Sequence, residues 1–175
     1  MDAFFEILKY TLPAALVILV VWEMQRKFFQ QQESRQRYLL YKENQKNVTP
    51  IRFTAYERLV LFLERITPDS LLVRTQSDSY TAIQLHTALL TVIRAEYEHN
   101  VAQQIYVSAE AWEVVKNAKE SIVQLINACA AQVDPQGPSV DLAKAILATY
   151  ENSTSAPTMV AISFLKTELK TYFSA

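Results

Sequence analysis

The sequence predicts an all-α protein, in which an N-terminal transmembrane helix continues into a helical stalk and then into a bundle of about five helices. Two observations predict this fold class. Apolar residues recur every three or four positions through most of the chain, and no segment alternates between apolar and polar residues as a half-buried strand does. We expect a transmembrane anchor over residues 1–24, a stalk over 25–48 and one bundle domain over 49–175.

The anchor is predicted from the charge-free apolar run over residues 10–22, which contains 13 residues. As a helix this run is about 20 Å long, and extension back to residue 4 gives about 28 Å, close to the thickness of a hydrocarbon core. Glu6 and Lys9 then lie near the outer boundary, where charged side chains reach the headgroups. The residues expected to form the anchor include Leu12, Leu16, Val17, Leu19, Val20 and Trp22.

Three other interpretations of this run stay open. A cleaved signal peptide needs a basic start and a small-residue cleavage site, neither of which is present. A buried core helix fits a run of this length. A helix lying in the membrane plane needs a polar face, and residues 12–21 have none.

The orientation of the anchor follows from the distribution of basic residues around it. Arg26, Lys27, Arg35 and Arg37 follow the apolar run, whereas Lys9 alone precedes it. Basic residues favour the cytoplasmic side and also contact anionic headgroups. We therefore expect a single-pass protein of the inner membrane with its C-terminal domain in the cytoplasm, and the single cysteine, Cys129, agrees with a reducing compartment.

The stalk is predicted from a change in composition. Residues 25–48 are rich in glutamine, arginine, lysine and glutamate, and they contain no proline or glycine. No heptad repeat is sustained through them, so the pattern favours a helix without indicating a coiled coil.

The bundle is predicted from helix-start signals followed by apolar periodicity. The start signals are Thr49-Pro50, Thr67-Pro68, Ser108 and Ser139. They predict helices over residues 50–66, 81–104, 109–132, 139–150 and 157–173, with a short helical turn over 68–72 and a break at residues 134–138. Cys129 falls on the apolar face of its helix and is expected to be buried.

Composition excludes several classes of function. Gly137 is the only glycine, and phosphate-binding loops need several, so neither a P-loop nor a dinucleotide-binding motif can be written from this chain. The formal net charge of −1 provides no broad basic surface for nucleic acid. We expect no cofactor and no catalytic residues.

The strongest candidate for metal chemistry is the pair Glu96 and His99, a Glu-x-x-His motif on one helix face, as found in carboxylate-bridged dimetal bundles. Such a site needs a second copy of the motif, but Ile83 stands three residues before the only other histidine, His86. A polar helix face that pairs with neighbouring helices explains Glu96 and His99 better. A metal-binding or enzymatic bundle tethered to the membrane remains the alternative function.

Two acidic–basic pairs, Glu57-Arg58 and Glu64-Arg65, recur seven residues apart and so flank the same helical stripe. The ordinary interpretation is a solvated or interhelical salt-bridge face. The functional interpretation is a charged rim around a protein-docking surface.

Five sequence blocks stand out in the bundle: Ala55-Tyr56-Glu57-Arg58-Leu59, Phe62-Leu63-Glu64-Arg65-Ile66, Ala95-Glu96-Tyr97-Glu98-His99-Asn100, Gln104-Ile105-Tyr106-Val107-Ser108 and Ala111-Trp112-Glu113. With these blocks, the chain resembles a family of short, uncharacterised bacterial proteins with a single membrane span. The resemblance covers nearly the whole chain and implies the membrane location and the helical fold, but no activity, cofactor or catalytic residue.

These observations together predict a non-enzymatic adaptor or scaffold that presents a helical docking domain beside the membrane. Its expected partners are the lipid bilayer and either another protein or a second copy of the chain, and no nucleic acid. A subunit of a larger membrane complex is a further alternative.

Overall fold

In this computed structural model, the backbone is described for residues 2–77, 79–153 and 156–174, and side chains for 16–17, 19–28, 32, 35, 48–77, 79–153 and 156–172. The described residues form α-helices and one short 3-10 helix, with no β-strand, which confirms the all-α class. In chain order the elements are α1 (Asp2–Arg65), α2 (Pro68–Thr75), α3 (Ala82–Asn100), the 3-10 helix (Val101–Ile105), α4 (Ala109–Ala130), α5 (Ser139–Glu151) and α6 (Pro157–Ser174).

The chain divides into two compact units, Met1–Thr49 and Pro50–Ala175, and α1 contributes to both. The prediction that a new helix begins at Thr49-Pro50 is wrong, because α1 continues through this dipeptide. Proline's fixed φ is compatible with a helix, and its main cost is one lost backbone hydrogen bond and crowding of the preceding turn. Thr54 Oγ1 donates to the Pro50 carbonyl at 3.0 Å.

In the first unit, the described side chains of α1 are exposed, among them Leu16, Val17, Leu19, Val20 and Trp22. Among the residues that the structure describes, no helix is both long enough and apolar enough to cross a membrane. Much of the predicted anchor, including Leu12, lies outside the residues with described side chains, and so does Arg37.

The hydrophobic core of the second unit forms around the C-terminal part of α1. Tyr56, Leu59, Phe62 and Leu63 are each no more than 1% exposed, at the spacing that places them on one helix face, and Ile66, just after the end of α1, is fully buried beside them. Burial of each such side chain stabilises the fold by about 1.5–3 kcal/mol. The other helices contribute Leu85, Leu89, Ile93, Val115, Ile122, Ile126, Cys129, Leu142, Ile146, Ile162 and Leu165. The predicted burial of Cys129 is confirmed.

At the start of α3, the first backbone N–H groups donate hydrogen bonds to two sets of acceptors. Thr81 and Gln84 form a capping box. The loop before α5 supplies two further acceptors, because the Ala82 amide donates to the Gly137 carbonyl at 2.9 Å and the Ile83 amide donates to the Pro135 carbonyl at 3.0 Å. The predicted loop at residues 134–138 therefore also holds α3 against α5.

Two other helix ends differ from the prediction. Ser139 is the first residue of α5 and not its cap, because its hydroxyl donates to the Ser77 carbonyl at 3.1 Å. Helix α3 ends at Asn100 rather than near residue 104, and the chain tightens there into the 3-10 helix. By contrast, Ser108 caps α4 as predicted, accepting from the Ala111 amide at 2.9 Å.

Candidate docking site

A small polar cavity of about 80 Å³ lies between α1 and α3 in the second unit. Helix α1 lines it with Arg58, Leu61, Phe62 and Arg65, whose spacing of three, four and seven residues places them on one face. Helix α3 lines it with Glu96, His99 and Asn100 from its last turn. The cavity is therefore bounded by the ends of two helices that pack through their apolar faces.

Glu96 is the electrostatic centre of this site. Its Oε2 accepts from Arg65 Nη1 at 3.2 Å, and its Oε1 accepts from Arg74 Nη1 at 3.2 Å. The Glu96 side chain is 15% exposed, whereas those of Arg65 and Arg74 are 47% and 36% exposed. One carboxylate thus holds two guanidinium groups whose outer edges face solvent.

Each of the three side-chain nitrogens of Arg74 donates one hydrogen bond. Besides the contact with Glu96, its Nε donates to the Ser70 carbonyl at 3.2 Å and its Nη2 donates to the Arg65 carbonyl at 2.6 Å. The Arg65 carbonyl is one of the terminal acceptors of α1, where a positive charge also stabilises the negative end of the helix dipole. Arg74 therefore connects the end of α1 to the end of α3.

Arg58 is held much less tightly than Arg74. Its Nη2 donates to the His99 carbonyl at a long 3.4 Å. Within the part of the chain that the structure describes, no carboxylate lies within ion-pair distance of its guanidinium. Beside it, the apolar side chain of Leu61 is 54% exposed.

Aromatic packing supports the side of the cavity that Phe62 lines. The ring of Phe62 lies 6.1 Å from that of Tyr97, which stacks on Trp112 at 5.6 Å. Lys119 Nζ lies 4.3 Å from the centre of the Tyr97 ring. Asn100 is buried, and its amide donates to the Glu96 carbonyl at 2.8 Å, which closes the last turn of α3.

The cavity brings together residues that the sequence placed in two separate hypotheses. Arg58 and Arg65 belong to the predicted docking rim, and Glu96 and His99 are the metal candidates. The other members of the rim, Glu57 and Glu64, are exposed and do not line the cavity.

The chemistry of the site suits an anion better than a cation. Both oxygens of Glu96 are already engaged by arginines, and the surrounding positive charge repels a metal ion. Among the described residues, no cluster of three or more histidine, cysteine, aspartate or glutamate side chains could hold a metal. Guanidinium groups, in contrast, match the geometry of carboxylates and phosphates.

Sequence reasoning missed Arg74. The helical turn predicted after Pro68 ends at residue 72 and leaves Arg74 outside it, whereas α2 continues to Thr75. A usable signal was present, because Arg74 follows Ser70 by one helical turn and basic residues favour helix C-termini.

The positive charge of this site is local. Residues 50–175 carry 10 lysines and arginines against 13 aspartates and glutamates, a formal net charge of −3. The five arginines of this unit all lie between residues 52 and 94, and three of them meet at Glu96 or line its cavity. The cluster is therefore a basic spot on a domain that is acidic overall.

A second cavity, of about 250 Å³, lies between the start of α3 and the end of α4. Its walls are mainly apolar, and its polar groups are His86 and Asn127, whose Nε2 and Oδ1 atoms are 2.8 Å apart. Because these two groups satisfy one another, the cavity offers less unpaired polar chemistry than the arginine cluster.

Comparison with known proteins assigns nearly the whole chain to one family. No curated protein and no solved structure matches it. Residues 2–172 match the profile of a family described only as being of unknown function, and the match covers nearly the whole chain, in agreement with the resemblance to an uncharacterised family. The chain belongs to the family of unknown function DUF7935.

Proposed function

We propose that this protein is a non-enzymatic adaptor, which holds a helical docking domain at the cytoplasmic face of a membrane and recruits a protein partner there. The observation that carries the proposal is the arginine cluster, defined as Arg58, Arg65 and Arg74. The guanidinium groups of Arg65 and Arg74 pair with one carboxylate, whereas Arg58 makes one long contact with a backbone carbonyl and keeps most of its donors for an outside acceptor. Arginines beside an exposed apolar residue are typical of protein-binding surfaces.

The size of the cavity supports binding of a side chain rather than conversion of a substrate. Pockets for small molecules and cofactors usually measure about 300–1,000 Å³. The cavity beside the arginine cluster measures about 80 Å³, which accommodates one side-chain head group. Among its polar lining groups, Arg65 and Glu96 form an ion pair, and Arg58 and Asn100 each donate to a backbone carbonyl, an arrangement that positions a partner.

The membrane part of the proposal rests on the sequence. The apolar run over residues 10–22, followed by Arg26, Lys27 and Arg35, is typical of a single-pass anchor whose C-terminal side is cytoplasmic. A tethered domain needs only modest intrinsic affinity, because the anchor raises the effective concentration of its surface near a membrane-bound partner.

The recruitment test is co-purification. The full chain carries a C-terminal tag, native membranes are solubilised in mild detergent, and mass spectrometry identifies proteins recovered at near-equal stoichiometry. We expect one defined partner with the natural sequence and its loss in the double variant Arg58→Glu, Arg65→Glu. The matched control is Arg94→Glu, an exposed arginine on α3 outside the cavity.

Two results contradict recruitment through this site. Recovery of the tagged chain alone leaves self-assembly as the alternative, and equal loss of the partner in the Arg94 variant shows a nonspecific effect of charge.

The anchor is tested by alkaline carbonate extraction. We expect the chain to stay in the membrane pellet, and its release into the supernatant contradicts a transmembrane anchor.

A further inference from the structure

We propose that the arginine cluster binds a carboxylate of an acidic segment in the partner, and that Glu96 occupies the cluster as an internal competitor until that segment arrives. This inference rests on the proposed docking function and names the chemistry of the partner. The site is a charge-complementary surface for glutamate or aspartate followed by an apolar residue.

The first argument concerns the unequal satisfaction of the three arginines. Arg74 donates from Nε, Nη1 and Nη2 to three different acceptors, so it is committed to the fold. Arg65 donates to Glu96 through Nη1, and Arg58 makes one long contact with a backbone carbonyl. Arg58 and Arg65 therefore have donors left for a second carboxylate, whereas Arg74 is engaged with Glu96 and two backbone carbonyls.

The second argument concerns spacing. Arg58 and Arg65 are seven residues apart on α1, a separation of about 10 Å along the helix axis. Leu61 lies between them and is 54% exposed. An acidic side chain that enters the cavity can place a neighbouring apolar side chain on Leu61, and the buried apolar area adds affinity to the ionic contact.

The third argument concerns the kind of anion. A cavity of about 80 Å³ admits one carboxylate but not a nucleotide. An anionic lipid surface is a broad negative field, and a domain with a formal net charge of −3 over residues 50–175 is repelled by it as a whole. A single acidic side chain interacts mainly with the local positive charge, so an acidic protein segment fits the observations better.

The role of Glu96 as competitor follows from its position. Its oxygens lie 3.2 Å from two of the three arginines and so occupy donors that a partner's carboxylate would need. An incoming carboxylate meets the repulsion of Glu96 and must share Arg65 with it. Removing the Glu96 charge therefore strengthens binding of an acidic ligand, the opposite of what a purely structural glutamate predicts.

The test measures the binding of a fluorescent peptide to the purified full chain in nonionic detergent. In the peptide, glutamates flank a central leucine, and glutamines replace the glutamates in the matched control peptide. We expect Arg58→Gln to weaken binding of the acidic peptide about tenfold, because a charge-assisted contact is lost. We expect Glu96→Gln to strengthen binding about threefold or more, and Arg94→Gln to leave it unchanged.

Thermal unfolding of each variant, followed by circular dichroism, identifies any variant that fails to fold, and Arg58→Gln keeps the test valid if Glu96→Gln is unstable. Equal binding of the acidic and the glutamine peptide overturns the inference. Binding to vesicles of anionic lipid without binding to the peptide overturns it as well, in favour of a lipid headgroup. A partner that still co-purifies with both Arg58→Gln and Glu96→Gln at unchanged yield leaves recruitment intact and removes this inference alone.

Discussion

Two glutamates face α1 at different points of the second unit, and their surroundings differ sharply. Glu96 meets the last turns of α1, where two arginines satisfy both of its oxygens. Glu168, on α6, lies near Tyr56 earlier in α1, and its Oε2 is buried without a hydrogen-bond partner among the described residues. The same type of side chain is therefore fully paired at one site and incompletely paired at the other.

The region around Glu168 contains a second buried polar atom in the same condition. The Tyr56 hydroxyl is buried beside the Glu168 carboxylate, and neither Tyr56 Oη nor Glu168 Oε2 makes a hydrogen bond of ordinary geometry within the described part of the chain. Burial raises the pKa of Tyr56 to about 12, and the negative charge of Glu168 adds to the shift. Nearby, Arg52 donates through Nε to the Tyr106 carbonyl at 3.1 Å and lies 4.2 Å from the centre of the Tyr172 ring.

The difference between the two regions indicates which one is suited to exchange partners. A buried polar atom without a partner costs free energy in the folded protein, and it is not accessible to a ligand. In the arginine cluster, in contrast, Arg65 and Arg74 are paired with Glu96 and partly exposed, so their ion pairs can be replaced by equivalent pairs with another molecule at little net cost. The paired, exposed site is therefore the better candidate for docking.

The largest expected effect comes from removing the aromatic wall behind Glu96. We expect Phe62→Ala to lower the free energy of unfolding by about 3–5 kcal/mol, because a large buried side chain leaves a cavity. Leu61→Ala is the matched control, because Leu61 precedes Phe62 in the sequence but its side chain is exposed. Truncating the Leu61 side chain should cost less than about 0.5 kcal/mol. Chemical unfolding followed by circular dichroism measures both, and equal losses contradict the described burial.

A smaller effect is expected at alkaline pH from Tyr56. Its pKa in the folded protein, about 12, lies above the ordinary value of 10, so the unfolded chain loses this proton first as the pH rises. The protonated Tyr56 hydroxyl therefore contributes fully to stability below pH 10, and this contribution is lost as the pH rises from 10 to 12. Over that range we expect the free energy of unfolding to fall by about 1–2 kcal/mol. Tyr56→Phe should remove this part of the pH dependence, and an unchanged slope contradicts the burial of the hydroxyl.

Neutralising the two glutamates one at a time tests the comparison directly. We expect Glu96→Gln to lower the free energy of unfolding by about 1–1.5 kcal/mol, because charge-assisted contacts with Arg65 and Arg74 are weakened. Glu168→Gln should cost less or stabilise the protein, since it removes a charge from a partly buried position where one carboxylate oxygen is incompletely paired. The reverse order in thermal or chemical unfolding contradicts the assignment of the two environments.

The smallest expected effect concerns the shape of the Arg74 side chain. Arg74→Lys keeps the charge but cannot reproduce three contacts from one planar group, so we expect a loss of about 0.5–1 kcal/mol. Arg94→Lys provides the control and should change stability by less than about 0.3 kcal/mol. If both substitutions are equally neutral, Arg74 contributes only its charge.

The accuracy of the sequence predictions depended on how local each signal is. The Ser108 cap and the apolar periodicity of α4 involve residues within one or two helical turns, and both predictions are confirmed. The start signal at Thr49-Pro50 is equally local, but it failed because neighbouring helical residues tolerate a proline whose φ already suits a helix. The Ser139 hydroxyl bonds 62 residues away, to Ser77, which no local pattern predicts.

The candidate site shows the same division more clearly. The sequence by itself determined the helical class, the stripe that presents Arg58 and Arg65, and the turn that carries Glu96 and His99, because helical spacing places residues on faces without reference to other elements. Only the tertiary structure decided that these two faces meet, and that Arg74 joins them from α2. The physical reason is that an ion pair between helices depends on how their apolar faces pack. The spacing of the charged residues along the sequence does not predict that packing.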